Sequence, residues 1–199
     1  MEPLLVGVDF GTTNSSAAVL DPLTNKVTVR KLDEGENPHL IRTILTKERD
    51  GSWTIGNQAA ALGAMRERSI LSLKTVLRRS PDFVWSIDGE QWELADLIAQ
   101  FLKQLLLAAE IEAPREIDRI AFSVPVNFDE RRKAVMERAA VKLGLHPTQI
   151  WFLDEPVSVL WDCRRIPARY VLVFDFGGGT LDMAIMDKEA TENHRQAIV

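Results

Sequence analysis

A single cysteine, Cys163, stands among 199 residues, so the chain carries no intrachain disulfide framework and suits a reducing compartment. Histidine is nearly as scarce. His39, His146 and His194 are scattered singly, and with one cysteine they argue against a zinc site. Positive charge is not in excess: the net charge is −5, which gives no electrostatic basis for binding nucleic acid or an anionic membrane. Long apolar runs are missing too. The stretch Leu105-Leu106-Leu107-Ala108-Ala109 is far too short to span a bilayer. A strand begins by Leu4, which leaves no room for a signal peptide. The expectation is a soluble cytoplasmic protein with neither nucleic acid nor a membrane as partner. No Gly-x-x-x-x-Gly-Lys-Ser/Thr sequence occurs, which excludes a P-loop, and Gly177-Gly178-Gly179 lacks the third glycine of a dinucleotide fingerprint. The five tryptophans are spread along the chain, as core and interface residues are.

What the chain does have is a repeated hairpin. Val171-Leu172-Val173-Phe174-Asp175-Phe176 and Leu181-Asp182-Met183-Ala184-Ile185 are two apolar runs around Gly177-Gly178-Gly179-Thr180. Glycine lets backbone N–H groups approach a ligand closely, and successive N–H groups in such a turn form an anion-binding nest. Asp175 and Asp182 would repel a bare phosphate, so they make sense there only with a cation in between. Together these features predict a metal–nucleotide site. Leu5-Val6-Gly7-Val8-Asp9-Phe10-Gly11-Thr12-Thr13-Asn14 repeats the pattern 166 positions earlier. Two related lobes, each offering a phosphate-gripping hairpin to one cleft, are the expectation.

With 46% hydrophobic residues, the chain has the means to bury one large or two small cores. Val27 to Lys31 reads as a third antiparallel strand, after a turn at Asp21 to Asn25. Leu40 to Ile44 and Trp53 to Ile55 read as a hairpin about Asp50-Gly51. Asn57 is placed as a helix cap, and Ile70, Leu73 and Leu77 share one helical face with Lys74 beside it. The clearest helix runs from Leu94 to Ala109, with Leu94, Leu97, Ile98, Phe101, Leu102 and Leu105 in the i, i+3, i+4 stripe. A buried strand at Ile120 to Val124 follows. Next come a helix capped by Asp129 and ended by Gly144, a short strand at Ile150 to Leu153, and a helix opened by Glu155-Pro156. The class is α/β with a mixed sheet and flanking helices.

The order and spacing of these motifs over residues 4 to 186 resemble the first half of the ATPase domain of the heat-shock seventy-kilodalton chaperone family, within the actin-like ATPase superfamily. Val6-Gly7-Val8-Asp9-Phe10-Gly11-Thr12-Thr13-Asn14-Ser15 is similar to its first phosphate motif, and Phe174 to Asp182 to its second. Ser123-Val124-Pro125 with Arg132, Asp154-Glu155-Pro156, and Leu73-Lys74 resemble three further family segments. After Glu155-Pro156 stand Val157, Ser158, Val159, Leu160 and Trp161, where the family carries alanines.

The resemblance implies an actin-like (ribonuclease H-like) fold. Residues 1–33 and 112–168 would form the core of the first lobe, 34–111 an inserted smaller α/β subdomain, and 169–199 the start of a second lobe that is cut short. It implies an ATP-binding, ATP-hydrolysing domain of a heat-shock-type chaperone with ATP and Mg²⁺ as cofactors. Partners would be unfolded polypeptide clients and co-chaperones. Gly11, Thr12, Thr13, Asn14, Gly177, Gly178, Gly179 and Thr180 would hold phosphates, and Asp9, Asp175 and Asp182 the metal. Lys74, Glu155 and Asp175 would be catalytic. From the residues alone, Asp9 and Asp175 also read as strand-end aspartates capping turns, Lys74 as a solvated helix lysine and Glu155 as a dipole-favoured helix start. Two other readings within the superfamily are a sugar or acyl kinase and a non-catalytic nucleotide-gated scaffold. These 199 residues by themselves are expected to be inactive, and to self-associate through the exposed hairpin of the second lobe.

Overall fold

A computed structural model describes residues 3–61, 66–162, 167–176 and 181–188, with the backbone alone at 66, 160–162, 175, 176, 181, 182 and 186. Strand β1 (Leu4–Asp9) turns back into β2 (Asn14–Asp21), paired antiparallel from Leu5↔Leu20 to Asp9↔Ser16. The Asp21 carboxylate accepts from the Leu23 amide at 2.9 Å and the Thr24 hydroxyl at 2.6 Å, and this turn leads to β3 (Lys26–Val29) on the edge beyond β2.

The next segment departs from the expected hairpin. β4 (Ile41–Arg42) pairs with the start of β2, and it is β5 (Leu45–Lys47) that pairs with β6 (Trp53–Ile55). The Asp50-Gly51 turn sets the register: with Lys47 opposite Trp53, only the residues just before the turn reach the partner strand. Helix α1 (Gly56–Ala61) starts one residue before Asn57, whose amide donates to Asp33 Oδ2 at 3.3 Å. Asn57 is therefore a first-turn residue and Asp33 the acceptor. β7 (Ser69–Ile70) adds to β5, so Ile70 belongs to a strand; helix α2 (Leu73–Arg79) begins only after Ser72. A second Asp-Gly turn, Asp88-Gly89 with φ of 54° and 78°, joins β8 (Val84–Ile87) to β9 (Glu90–Glu93).

Helix α3 (Leu94–Ala108) carries the core. Leu97, Ile98, Phe101, Leu102, Leu105 and Leu106 are essentially inaccessible. At about 1.5–3 kcal/mol for each such side chain removed from water, the stripe contributes on the order of 10 kcal/mol before chain entropy is counted. Phe101 meets Phe10 of the β1–β2 turn edge-on, with ring centroids 5.6 Å apart. β10 (Ile117–Val124) then lies parallel to β1. Helix α4 (Glu130–Val141) is capped by Asp129, whose side chain accepts from the Arg132 amide at 3.0 Å, and Gly144 turns the chain afterwards at φ 92°. β11 (Ile150–Asp154) runs parallel to β10, giving the order β11-β10-β1-β2-β3. Helix α5 (Glu155–Asp162) leaves that edge, and β12 (Tyr170–Phe176) with β13 (Leu181–Asp187) forms a separate two-stranded sheet against it. The architecture is α/β with a mixed sheet and flanking helices. Among the described residues no helix is long and apolar enough to cross a membrane.

Candidate functional site

The parallel strands β1, β10 and β11 all end on the same edge of the sheet. Asp9 is in register with Ser123 and Ser123 with Leu153, and the next pair is Val124 with Asp154. In α/β sheets the carboxyl ends of strands are where ligands bind. Asp9 is exposed there, and the Ser123 hydroxyl donates to its Oδ1 at 2.8 Å, fixing the carboxylate's orientation. The Ser123 contact was not foreseen from the sequence. Its signal lay in strand pairing, since a one-residue change of register would turn its side chain to the other face.

The β1–β2 turn is pinched tightly at Gly11. A Cβ built on that residue would lie 1.9 Å from the Asn14 carbonyl oxygen, so only glycine fits this turn. Phe10 anchors the turn in the core, and two of its carbonyls are held by the protein. The Thr12 oxygen lies 2.8 Å from Ser72 Oγ, and the Thr13 oxygen accepts from the Thr43 amide at 2.8 Å. A trans peptide points its N–H opposite to its C=O. The amides of Thr13 and Asn14 therefore face away from Ser72 and Thr43.

Lys74 does not read as a solvated helix residue in three dimensions. It is 5% exposed and its Nζ donates to Glu155 Oε1, itself in a residue 8% exposed. Leu73 and Leu77 seat α2 in the core. Ser72 ties the helix start to Thr12. At the other end the Arg132 guanidinium donates to the Arg78 carbonyl at 2.6 and 3.1 Å, so α4 grips the last turn. Glu155 opens α5, where its charge is favoured by the helix N-terminus, and its carbonyl accepts from the Ser158 hydroxyl at 2.6 Å. The pair thus joins the helix behind the glycine-pinched turn to the end of β11.

The second hairpin repeats the first in register as well as in sequence. Asp9 pairs with Ser16 and Asp175 with Asp182, each seven residues on; likewise Val8 pairs with Ala17 and Phe174 with Met183. Val173 and Ala184 of this hairpin are buried with Val157 of α5. Gly177, Gly178, Gly179 and Thr180 lie outside the described residues, and at Asp175 and Asp182 the backbone pairing alone is described.

Among the described residues no three His, Cys, Asp or Glu side chains gather as a metal cage. Asp9, an exposed carboxylate at the strand ends, fits a hydrated Mg²⁺ better than a caged ion, because Mg²⁺ keeps several waters and is held through one or two carboxylates.

Comparison with known proteins finds distant relatives. The chaperone protein DnaK of Nitrosopumilus maritimus is 25% identical over 189 residues, covering 92% of this chain and 29% of the relative. Chaperone protein DnaK of Thermotoga neapolitana is 27% identical over 187 residues, covering 92% and 30% respectively. The chain is thus a distant relative of the DnaK chaperones and spans under a third of their length. Residues 26–199 match the model of a family described as the C-terminal part of a family of unknown function, DUF5716, and on that match the chain belongs to the DUF5716 C-terminal family.

Proposed function

We propose that the chain is the first part of an ATP-binding, ATP-hydrolysing domain of chaperone type, built on an actin-like fold. In this reading residues 1–33 and 112–168 form the core of the first lobe, 34–111 an inserted subdomain and 169–199 the beginning of a second lobe. The observation that carries it is the buried Lys74–Glu155 pair, set behind a glycine-pinched turn at the carboxyl edge of parallel strands. A buried ion pair is costly to desolvate and is seldom a good investment in stability alone. Its position beside the glycine-pinched turn supports a chemical role.

The residues divide the work as phosphoryl chemistry requires, with positioning and charge stabilisation dominating. Gly11, Thr12, Thr13 and Asn14 bind phosphate oxygens from one side, with Gly177, Gly178, Gly179 and Thr180 doing so from the second hairpin. Asp9, with Asp175 and Asp182, would hold Mg²⁺, which when bound would supply neutralising charge to the phosphates. Ser123 keeps Oδ1 of Asp9 engaged, which aims the carboxylate. Lys74 brings a cation to the terminal phosphate, and Glu155 holds that cation at Nζ while orienting the attacking water, with Asp175 assisting. Unfolded polypeptides and co-chaperones are the partners this reading assigns to the whole protein.

Calorimetric titration of the chain with Mg-ATP tests the site. We expect weak, saturable binding that is lost in Asp9→Asn. For the whole protein, turnover stimulated by an unfolded peptide tests the activity. A folded protein that neither binds nor turns over ATP overturns the reading; binding without turnover favours a nucleotide-gated scaffold.

A further inference from the structure

The residue that starts α2 faces two elements at once. Ser72 Oγ lies 2.8 Å from the Thr12 carbonyl oxygen, 60 positions earlier, and accepts from the Thr75 amide at 3.3 Å as the helix N-cap. It also lies 2.9 Å from Thr75 Oγ1. A carbonyl oxygen only accepts, so the single proton of the hydroxyl is committed to Thr12, and the oxygen remains to cap the helix. Ser72 is half-buried, and two residues on stands Lys74.

We propose that Ser72 is a positioning residue for the nucleotide site: its hydroxyl sets the placement of Lys74 relative to the phosphate-binding turn. The inference rests on the nucleotide reading above and goes beyond it in naming the tie. Two consequences follow from one hydrogen bond. Holding the Thr12 carbonyl fixes the plane of the Thr12–Thr13 peptide, and with it the direction of the Thr13 N–H on the opposite side. Holding the same carbonyl from the N-cap of α2 fixes the helix, whose first turn delivers Lys74 to Glu155. Turn and lysine are thereby adjusted to each other before a ligand arrives. Preorganisation of this kind is where catalytic sites lose most when a support shifts by an ångström. Arg132 grips the other end of α2 through the Arg78 carbonyl and is itself paired with Asp129, whereas Ser72 ties the start of the helix to the turn.

A purely structural cap and a positioning residue respond differently to three substitutions. Ser72→Thr keeps donor and cap. Ser72→Gly removes the donor while leaving the helix start nearly as good, because glycine is tolerated at an N-cap, whereas Ser72→Ala removes both. Amide hydrogen exchange at Thr13 and Asn14, read on the whole 199-residue chain without ligand, reports the turn; calorimetric titration with Mg-ATP reports the site. We expect faster exchange and about tenfold weaker binding in both the Gly and Ala variants, with Thr close to the parent. Unchanged exchange in the Gly variant overturns the proposal, as does faster exchange with unaltered Mg-ATP affinity. If the parent binds no Mg-ATP, the nucleotide reading itself fails and the role assigned to Ser72 goes with it, whereas the exchange result separately reports whether the turn is tied to α2.

Discussion

Lys74 and Glu155, 81 positions apart, form a buried ion pair between the first turn of α2 and the first residue of α5. Removing one member of such a pair costs about 3 kcal/mol, because the other charge loses its counterion in a low-dielectric setting. Lys74→Met and Glu155→Gln should each lower the urea midpoint, and the double variant should be less destabilised than the sum, with a coupling of about 1–3 kcal/mol. Additive losses would show that the two residues stabilise the fold independently. In the whole protein, Lys74→Ala should abolish ATP turnover and spare most ATP binding, since the grip on phosphate comes from the turns. Turnover at the parent rate would remove Lys74 from the reaction.

Two glycines four residues apart should behave oppositely. At Gly11 a Cβ would collide with the Asn14 carbonyl oxygen at 1.9 Å, whereas at Gly7 nothing lies within 4 Å. Gly11→Ala should cost about 1–3 kcal/mol in strain and weaken Mg-ATP binding. Gly7→Ala should stay within about 0.5 kcal/mol of the parent. Thermal unfolding of both variants decides it, and equal losses would contradict the close approach at Gly11.

Acid should loosen the β8–β9 hairpin before the main sheet. Two hydrogen bonds of 2.6 Å from Arg68 hold the Asp88 carboxyl below its ordinary range, and Lys47, 2.5 Å from Glu90, does the same for that carboxyl. A carboxylate with a depressed folded pKa contributes stability above its unfolded value and loses it as pH falls through the folded one. The decline should therefore begin near the ordinary values, 4.5 for Glu90 and 3.8 for Asp88, and continue below them. Near-ultraviolet circular dichroism of Trp53, Trp85 and Trp92, which cluster there, follows the change. Arg68→Met should flatten the acid side of the profile; an unchanged slope would deny the Arg68–Asp88 pair its part.

The β12–β13 hairpin presents one face to α5 through Val173 and Ala184 and leaves Leu172, Phe174, Met183 and Ile185 exposed on the other. A two-stranded sheet is marginal by itself, and an apolar face of this kind associates. Light scattering across a concentration series should show association of the 199-residue chain, relieved by Leu172→Lys with Phe174→Lys. A strict monomer at every concentration would refute it.

Local signals in the sequence carried far. The duplicated Asp-Phe-Gly motif was legible because hairpin register is set within a few residues, and the structure repeats the seven-residue pairing at Asp9 and Asp175. The α3 stripe and the Asp129 cap were legible for the same reason. The helix start at Ser72 is masked in the sequence because Ile70, Leu73 and Leu77 fit one helical face, although Ile70 is paired with Leu45 in a strand. Asp88-Gly89 carries the same turn signal as Asp50-Gly51. Lys74 with Glu155, and Ser123 with Asp9, were beyond reach from pattern alone, since each contact depends on packing between segments 81 and 114 positions apart.

The placement of β1 in the middle of the sheet also bears on the order of events during synthesis. Its antiparallel neighbour β2 follows at once, but its parallel neighbour begins at Ile117 and is complete only at Val124. At roughly 5–20 residues per second, the ribosome needs on the order of ten seconds to supply it. For that interval Val6 and Val8, almost wholly inaccessible in the finished protein, sit on a sheet with an open edge and no β10 beside them. Pairing over such separations is also slow once both strands exist. Strand β1 is made long before its sheet is complete, and its open edge is where the growing chain is most exposed to miscapture.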